Sequence, residues 1–128
     1  MSVKFLSDEY IAAGTDALHG HADFMEAAGG VDLTVQFMVT GGPDGEVTYH
    51  LDTTGGATGL VPGPHAQPDV TITSGYDTAV SLSKGDLNTQ MAFMTGKIKV
   101  AGNMAVLLLN QTLINEFARA LGSIDVEY

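Results

Sequence analysis

From Val31 to Thr40 the chain alternates without a break. Val31, Leu33, Val35, Phe37 and Val39 fall on one face, and Asp32, Thr34, Gln36, Met38 and Thr40 on the other. A period of two marks a strand with one buried face. Gly41-Gly42-Pro43-Asp44-Gly45 is turn chemistry, and the alternation resumes from Glu46 to Asp52 through Val47, Tyr49 and Leu51. The pattern predicts an antiparallel hairpin. Leu60-Val61, inside the Gly-, Pro- and Thr-rich stretch Thr53 to Pro68, predicts a short edge strand. Asp69 to Thr73 predicts another, burying Val70 and Ile72.

Elsewhere the apolar spacing is helical. Tyr10, Ile11, Leu18, Phe24 and Met25 give Ser7 to about Ala28 an apolar face. Ser7 or Asp8 can cap this helix, with Asp8 and Glu9 at the positive end of its dipole. Gly14 and Gly20 bend or divide it, and Gly29-Gly30 ends it. A further helix runs from a cap at Ser74 or Asp77 through Ser83. Beyond Asn110, Leu113, Ile114, Phe117, Ala118 and Leu121 recur at helical spacing up to Gly122, which is placed to end that helix.

The stretch Ser83 to Asn110 combines both periods. Asn88 can cap a helix through Met94, and Gly96 suits its end because glycine reaches left-handed backbone angles freely. Lys97-Ile98-Lys99-Val100 alternates as a strand, which Gly102 breaks, and Asn103 can cap the next helix. That helix opens Met104-Ala105-Val106-Leu107-Leu108-Leu109, with no polar face. A helix apolar all round must be covered on every side, by core, partner or ligand. Strands clustered early with helices at both ends predict an α+β layer fold. One mostly antiparallel sheet would carry helices on one face.

With 128 residues, 45% hydrophobic and 16% charged, the chain is long enough for one globular domain with a real core, spanning 1–128. No repeat or linker divides it. The net charge of −10 predicts repulsion from nucleic acid and from anionic membrane surfaces, so delivery of any ligand should not depend on anionic membranes. Without cysteine there is no thiolate or disulfide chemistry. The longest apolar run, Met104 to Leu109, is too short to span a bilayer, which argues against stable membrane insertion. The first residues, MSVKFLSDEYIAAG, interrupt any signal-peptide core with acids, and IDVEY carries no targeting tripeptide. A cytoplasmic location is the expectation.

Gly85, Leu87, Asn88, Ala92, Phe93, Gly96, Lys97, Ile98, Val100, Gly102, Asn103 and Met104 stand in an order and spacing that resembles the signature region of the sterol carrier protein two family. Asp69 to Ser83 resembles the segment that precedes it. The specific likeness covers the last third to half of the chain, and the element order covers nearly all of it. Thr89 stands where the family commonly has proline, a harmless change at the first helical position. The resemblance implies a five-stranded sheet and several helices enclosing an apolar tunnel. It also implies binding of sterols, fatty acids or fatty acyl-CoA without chemistry, with the domain also serving as an accessory part of larger enzymes. The acidic balance and the absence of a peroxisomal tail depart from that pattern.

Met91, Phe93, Met94, Ile98, Met104, Leu107 and Leu108 are the candidate lining of such a tunnel. A lipid needs a long apolar cavity, and methionine adapts to irregular guests. Each of these residues also suits plain core packing. No pattern asks for a cofactor. His19-Gly20-His21 with Asp23 and Glu26 has metal-ligand types, but imidazoles two apart on a helix diverge, and His19 with Asp23 reads better as a surface pair. His50 with Asp52 reads as the solvated face of a strand rather than an acid–base pair. Thr53 to Gly59 lacks the Gly-Lys-Ser/Thr ending of a phosphate loop. No nucleophile elbow is present. Lys97 and Lys99 suit either an acidic headgroup at a tunnel mouth or the protective role of lysine on an edge strand. The expected function is binding or transfer of an apolar lipid. The rivals are an interaction module whose apolar surface covers a protein partner, and a small enzyme using His50 or His19 as base.

Overall fold

The computed structural model describes residues 2–43, 45–53, 58–84 and 86–127. Asp44 of the expected turn, 54–57 of the Gly-rich loop and Gly85 of the signature stretch lie outside them. The strands are β1 (Val3–Lys4), β2 (Thr34–Gly42), β3 (Gly45–Asp52), β4 (Gly59–Pro62), β5 (Val70–Gly75), β6 (Ile98–Gly102) and β7 (Val126–Glu127). The helices are α1 (Asp8–His19), α2 (Ala22–Ala28), α3 (Tyr76–Lys84), α4 (Thr89–Met94), α5 (Met104–Leu109) and α6 (Gln111–Gly122). Five strands form one sheet in the order β4-β3-β2-β5-β6. Every neighbour is antiparallel except β2 and β5.

The alternation decides which face is buried. Leu33, Val35, Val39, Leu51, Val70 and Ile72 are all core, and Tyr49 lies directly across from Phe37. The helices pack α1 on β4, α2 on α6 and α3 on β2. Thr15 ties α1 to the edge strand: its hydroxyl accepts from the Leu60 N–H at 2.9 Å. Ser7 caps α1 by accepting from the Tyr10 N–H at 3.2 Å. The first helical stretch divides at Gly20, with a bend into α2.

Asn88 and Asn103 cap α4 and α5 by accepting from the N–H groups of Met91 at 2.7 Å and Val106 at 3.4 Å. Gly96 follows α4 at φ +74, a left-handed angle that costs glycine little. Gly102 ends β6 as its last residue. Its φ is +103, and a Cβ there would sit 2.6 Å from the Asp69 carbonyl oxygen. That close approach lets the Asn103 N–H donate to the same carbonyl at 2.9 Å, fixing where α5 begins. Glycine 122 is the last residue of α6, and Ser123 caps it.

The terminal pair β1–β7 was not foreseen: Val3 and Lys4 run parallel to Val126 and Glu127. Between β1 and α1, Leu6 takes φ 64, a costly angle for a branched residue that its burial in the core offsets.

Candidate functional site

Two apolar cavities lie side by side between the sheet and the helices. The inner one, about 110 Å³, is walled by Phe37 and Tyr49 of the hairpin, Ile72 of β5, Ala79 of α3, and Phe117 and Leu121 of α6. Its aromatic wall is stacked: Phe37 lies on Tyr49 at 5.1 Å and on Phe117 at 5.5 Å between ring centres. The outer one, about 140 Å³, lies among α4, β6, α5 and α6, walled by Phe93, Ile98, Val100, Met104, Leu107, Leu108 and Ile114 with Gln111 and Asn115. Ile98 and Ile114 border both.

Each space alone is small. An engineered apolar cavity of about 150 Å³ takes a benzene, whereas sites for larger ligands run to about 300–1,000 Å³. Together they approach that range, and the Ile98–Ile114 partition is where they would join.

Of the residues expected to line the site, Phe93, Ile98, Met104, Leu107 and Leu108 meet at the outer cavity. Met91 and Met94 do not: they border neither cavity and are 52% and 76% exposed. On α4 Ala92 is buried and Phe93 borders the outer cavity, while its two methionines face solvent. No residue of α5 is buried, and Leu108 and Leu109 remain 64% and 84% exposed. The fold covers the all-apolar helix on one side only, where Val106 and Leu107 pack against the core. The inner cavity escaped the sequence reading because alternation and helical spacing mark Phe37, Tyr49 and Phe117 as inward, but do not tell a filled interior from a hollow one.

Among the described residues no carboxylate, imidazole, ammonium or guanidinium borders either cavity. The polar side chains among the residues of the inner wall are those of Tyr10, Tyr49, Ser74 and Ser83. Burial pushes the Tyr49 phenol well above its ordinary range, and the neighbouring Tyr10 adds to this. It is a neutral hydrogen-bonding group rather than a base.

The other candidate constellations take different partners from those expected. His19 does not pair with Asp23: its Nε2–H donates to the Thr58 carbonyl at 2.6 Å. His21 meets Glu116 at 2.9 Å, and Arg119 meets the same carboxylate at 3.3 Å. His21, Asp23 and Glu116 place one ligand atom each within 4.8 Å of one another, and the His21–Glu116 contact fastens the start of α2 to α6. His50 is not on a solvated face. It is buried, its Nδ1–H donates to the Gly63 carbonyl at 2.9 Å, and His65 packs edge-on against it at 5.1 Å. The loop after β4 covers that side of the hairpin, where the His65 N–H donates to Gln36 Oε1 at 3.0 Å. The Thr53 hydroxyl is spent on the backbone, donating to the Val31 carbonyl at 2.6 Å and accepting from the Leu33 N–H at 3.0 Å. Lys97 and Lys99 are exposed, and β6 is an edge strand. Strand alternation turns Lys99 away from Ile98 and Val100. No helix among the described residues is long and apolar enough to cross a membrane.

The model of the SCP-2 sterol transfer family matches residues 17–115. Over 92 residues, 71% of this chain, the sequence is 35% identical to sterol carrier protein 2 of Rattus norvegicus, of which the match covers 16%. Over 81 residues, 63% of this chain, it is 36% identical to hydroxysteroid dehydrogenase-like protein 2 of Bos taurus, of which the match covers 19%. The chain thus spans under a fifth of the length of these curated relatives. The fold superposes on a crystal structure of sterol carrier protein 2 with a TM-score of 0.80, at 20% identity, covering 94% of this chain and 99% of that one.

Proposed function

The chain belongs to the SCP-2 sterol transfer family, and from that membership we propose that it binds and transfers an apolar lipid held between sheet and helices, without a chemical step. The carrying observation is the pair of adjoining apolar cavities, on whose walls no carboxylate, imidazole or amine stands among the described residues. Such walls suit a guest with one long apolar body, a fatty acyl chain or a sterol, and Tyr49 and Ser74 are among the polar residues of the inner wall.

Titration with a fluorescent fatty acid and a fluorescent sterol tests this. Saturable binding at micromolar or tighter dissociation constants supports it. No saturable signal with any chain length or with the sterol refutes it. A second reading is favoured by the likeness to hydroxysteroid dehydrogenase-like protein 2: the domain presents its ligand to an enzyme. Acceleration of a dehydrogenase on a bound apolar substrate, relative to the free substrate, would separate presentation from carriage.

A further inference from the structure

The α2–α6 contact gathers three metal-ligating side chains from distant parts of the chain. His21 stands at the cap of α2, Asp23 in its first turn and Glu116 on α6. One ligand atom of each lies within 4.8 Å of the other two. His21 Nε2 is 2.9 Å from Glu116 Oε2. Arg119 holds the other carboxylate oxygen, Oε1, at 3.3 Å, which orients Oε2 towards the imidazole. The supporting backbone is fixed from below. Phe24, next to Asp23, and Phe117, next to Glu116, are both buried and pack at 6.4 Å between ring centres. Such packing presets the positions of the ligands above it. Asp23 is exposed, and His21 and Glu116 are half-buried, so the cluster is open to solvent. His19 takes no part, because its Nε2–H donates to the Thr58 carbonyl. None of the three borders either apolar cavity.

We propose that His21, Asp23 and Glu116 bind a divalent transition-metal ion, with Zn²⁺ the best fit and water in the fourth position. One imidazole nitrogen and two carboxylate oxygens are zinc donors, held at about 2.0–2.2 Å in a tetrahedron. In that geometry the ligand atoms stand about 3.3–3.6 Å apart. His21 and Glu116, now at 2.9 Å, have to part by only about half an ångström. The exposed Asp23 closes the triangle by turning its side chain. Two carboxylates against Arg119 leave a local charge of −1, and the chain's net charge of −10 draws cations towards it. Mg²⁺ and Ca²⁺ seek oxygen ligands and gain little from the imidazole. The bound ion cross-links α2 to α6. It requires no bound lipid and does not rest on the carrier reading.

Calorimetric titration of the full, untagged and chelator-stripped chain with zinc chloride tests this. One saturable site of micromolar or tighter affinity is expected. In protein labelled at the histidine ring nitrogens, zinc should move the His21 resonances and leave His19, His50 and His65 in place. His21→Gln, Asp23→Asn and Glu116→Gln should each weaken binding about tenfold or more. Asp32→Asn and His65→Gln, outside the cluster, should leave it unchanged. Zinc at about a hundredfold excess over its dissociation constant should raise the parent's melting temperature by about 10 °C, and that of Asp23→Asn by about half as much or less. Asp23 is exposed and outside the His21–Glu116 contact. Its variant should therefore melt near the parent without zinc, and it decides the question even where the other two fold poorly. Absence of saturable zinc binding overturns the proposal, as does a shift of another histidine in place of His21. Zinc binding of parental strength in Asp23→Asn overturns it too. Mg²⁺ or Ca²⁺ bound as tightly as zinc would make the cluster an unselective acidic patch, and would also overturn it.

Discussion

Replacing Ile114 with alanine removes a side chain that borders both cavities. Three carbon groups are lost, worth about 2.4 kcal/mol if fully buried. Ile114 is only part-buried and faces open space on two sides, so fewer contacts are lost and little new cavity is created. A destabilisation of about 1.5–2 kcal/mol follows, at or below the low end of the about 2–5 kcal/mol typical of such truncations. In a chain of 128 residues that lowers the melting temperature by about 6–8 °C. The joined cavity should accept longer acyl chains, whereas Ile114→Phe should fill the junction and restrict binding to short ones. Both variants go through urea unfolding and titration with a series of fatty acids of increasing length. A loss above about 4 kcal/mol would make Ile114 a core pillar. An unchanged chain-length profile in both variants would refute the junction.

Glycine 102 replaced by alanine should destabilise by about 2–3 kcal/mol in urea unfolding, because the new Cβ meets the Asp69 carbonyl at a positive φ; a neutral result would mean that β6 and the start of α5 shift easily. Asn88→Ala should cost about 1 kcal/mol through the lost cap on α4, read by the same unfolding. Tyr49 holds its proton more tightly folded than unfolded. Its stabilisation is therefore complete below the unfolded value of about 10 and declines as pH rises above it. Relative to Tyr49→Phe, the parent should lose about 1.4 kcal/mol per pH unit above that point, and parallel curves for the two would show the phenol to be solvated.

The sequence made most of the sheet and its helices legible because each rests on a local rule. The alternation at Val31 to Thr40, the asparagine caps at 88 and 103 and the glycine at 96 each specify one backbone state. What escaped it depends on distant chain segments. Val3 and Val126 pair across the whole chain, and two-residue strands have no period to read. His50 looks solvent-facing from its strand alone, but the loop carrying Gly63 and His65 closes over it. Met91 and Met94 have the composition of a lining, yet the short α4 buries Ala92 and leaves both methionines exposed. The exposed leucines of α5 were legible as a surplus of apolar surface. The two cavities were not, since hollowness depends on how far apart the fold holds walls whose inward facing the sequence already indicates.

A lipid held across the two cavities passes Met104 in the outer one, and methyl-carbon-labelled methionine reports on it directly. Met104 borders the cavity, while Met25 and Met38 do not. On titration with a fatty acid in vesicle-free buffer, the Met104 methyl resonance should move to a saturated end point, with Met25 and Met38 unmoved. A saturable ligand that leaves Met104 in place, or that shifts all methionines alike, would contradict the cavity as the binding site.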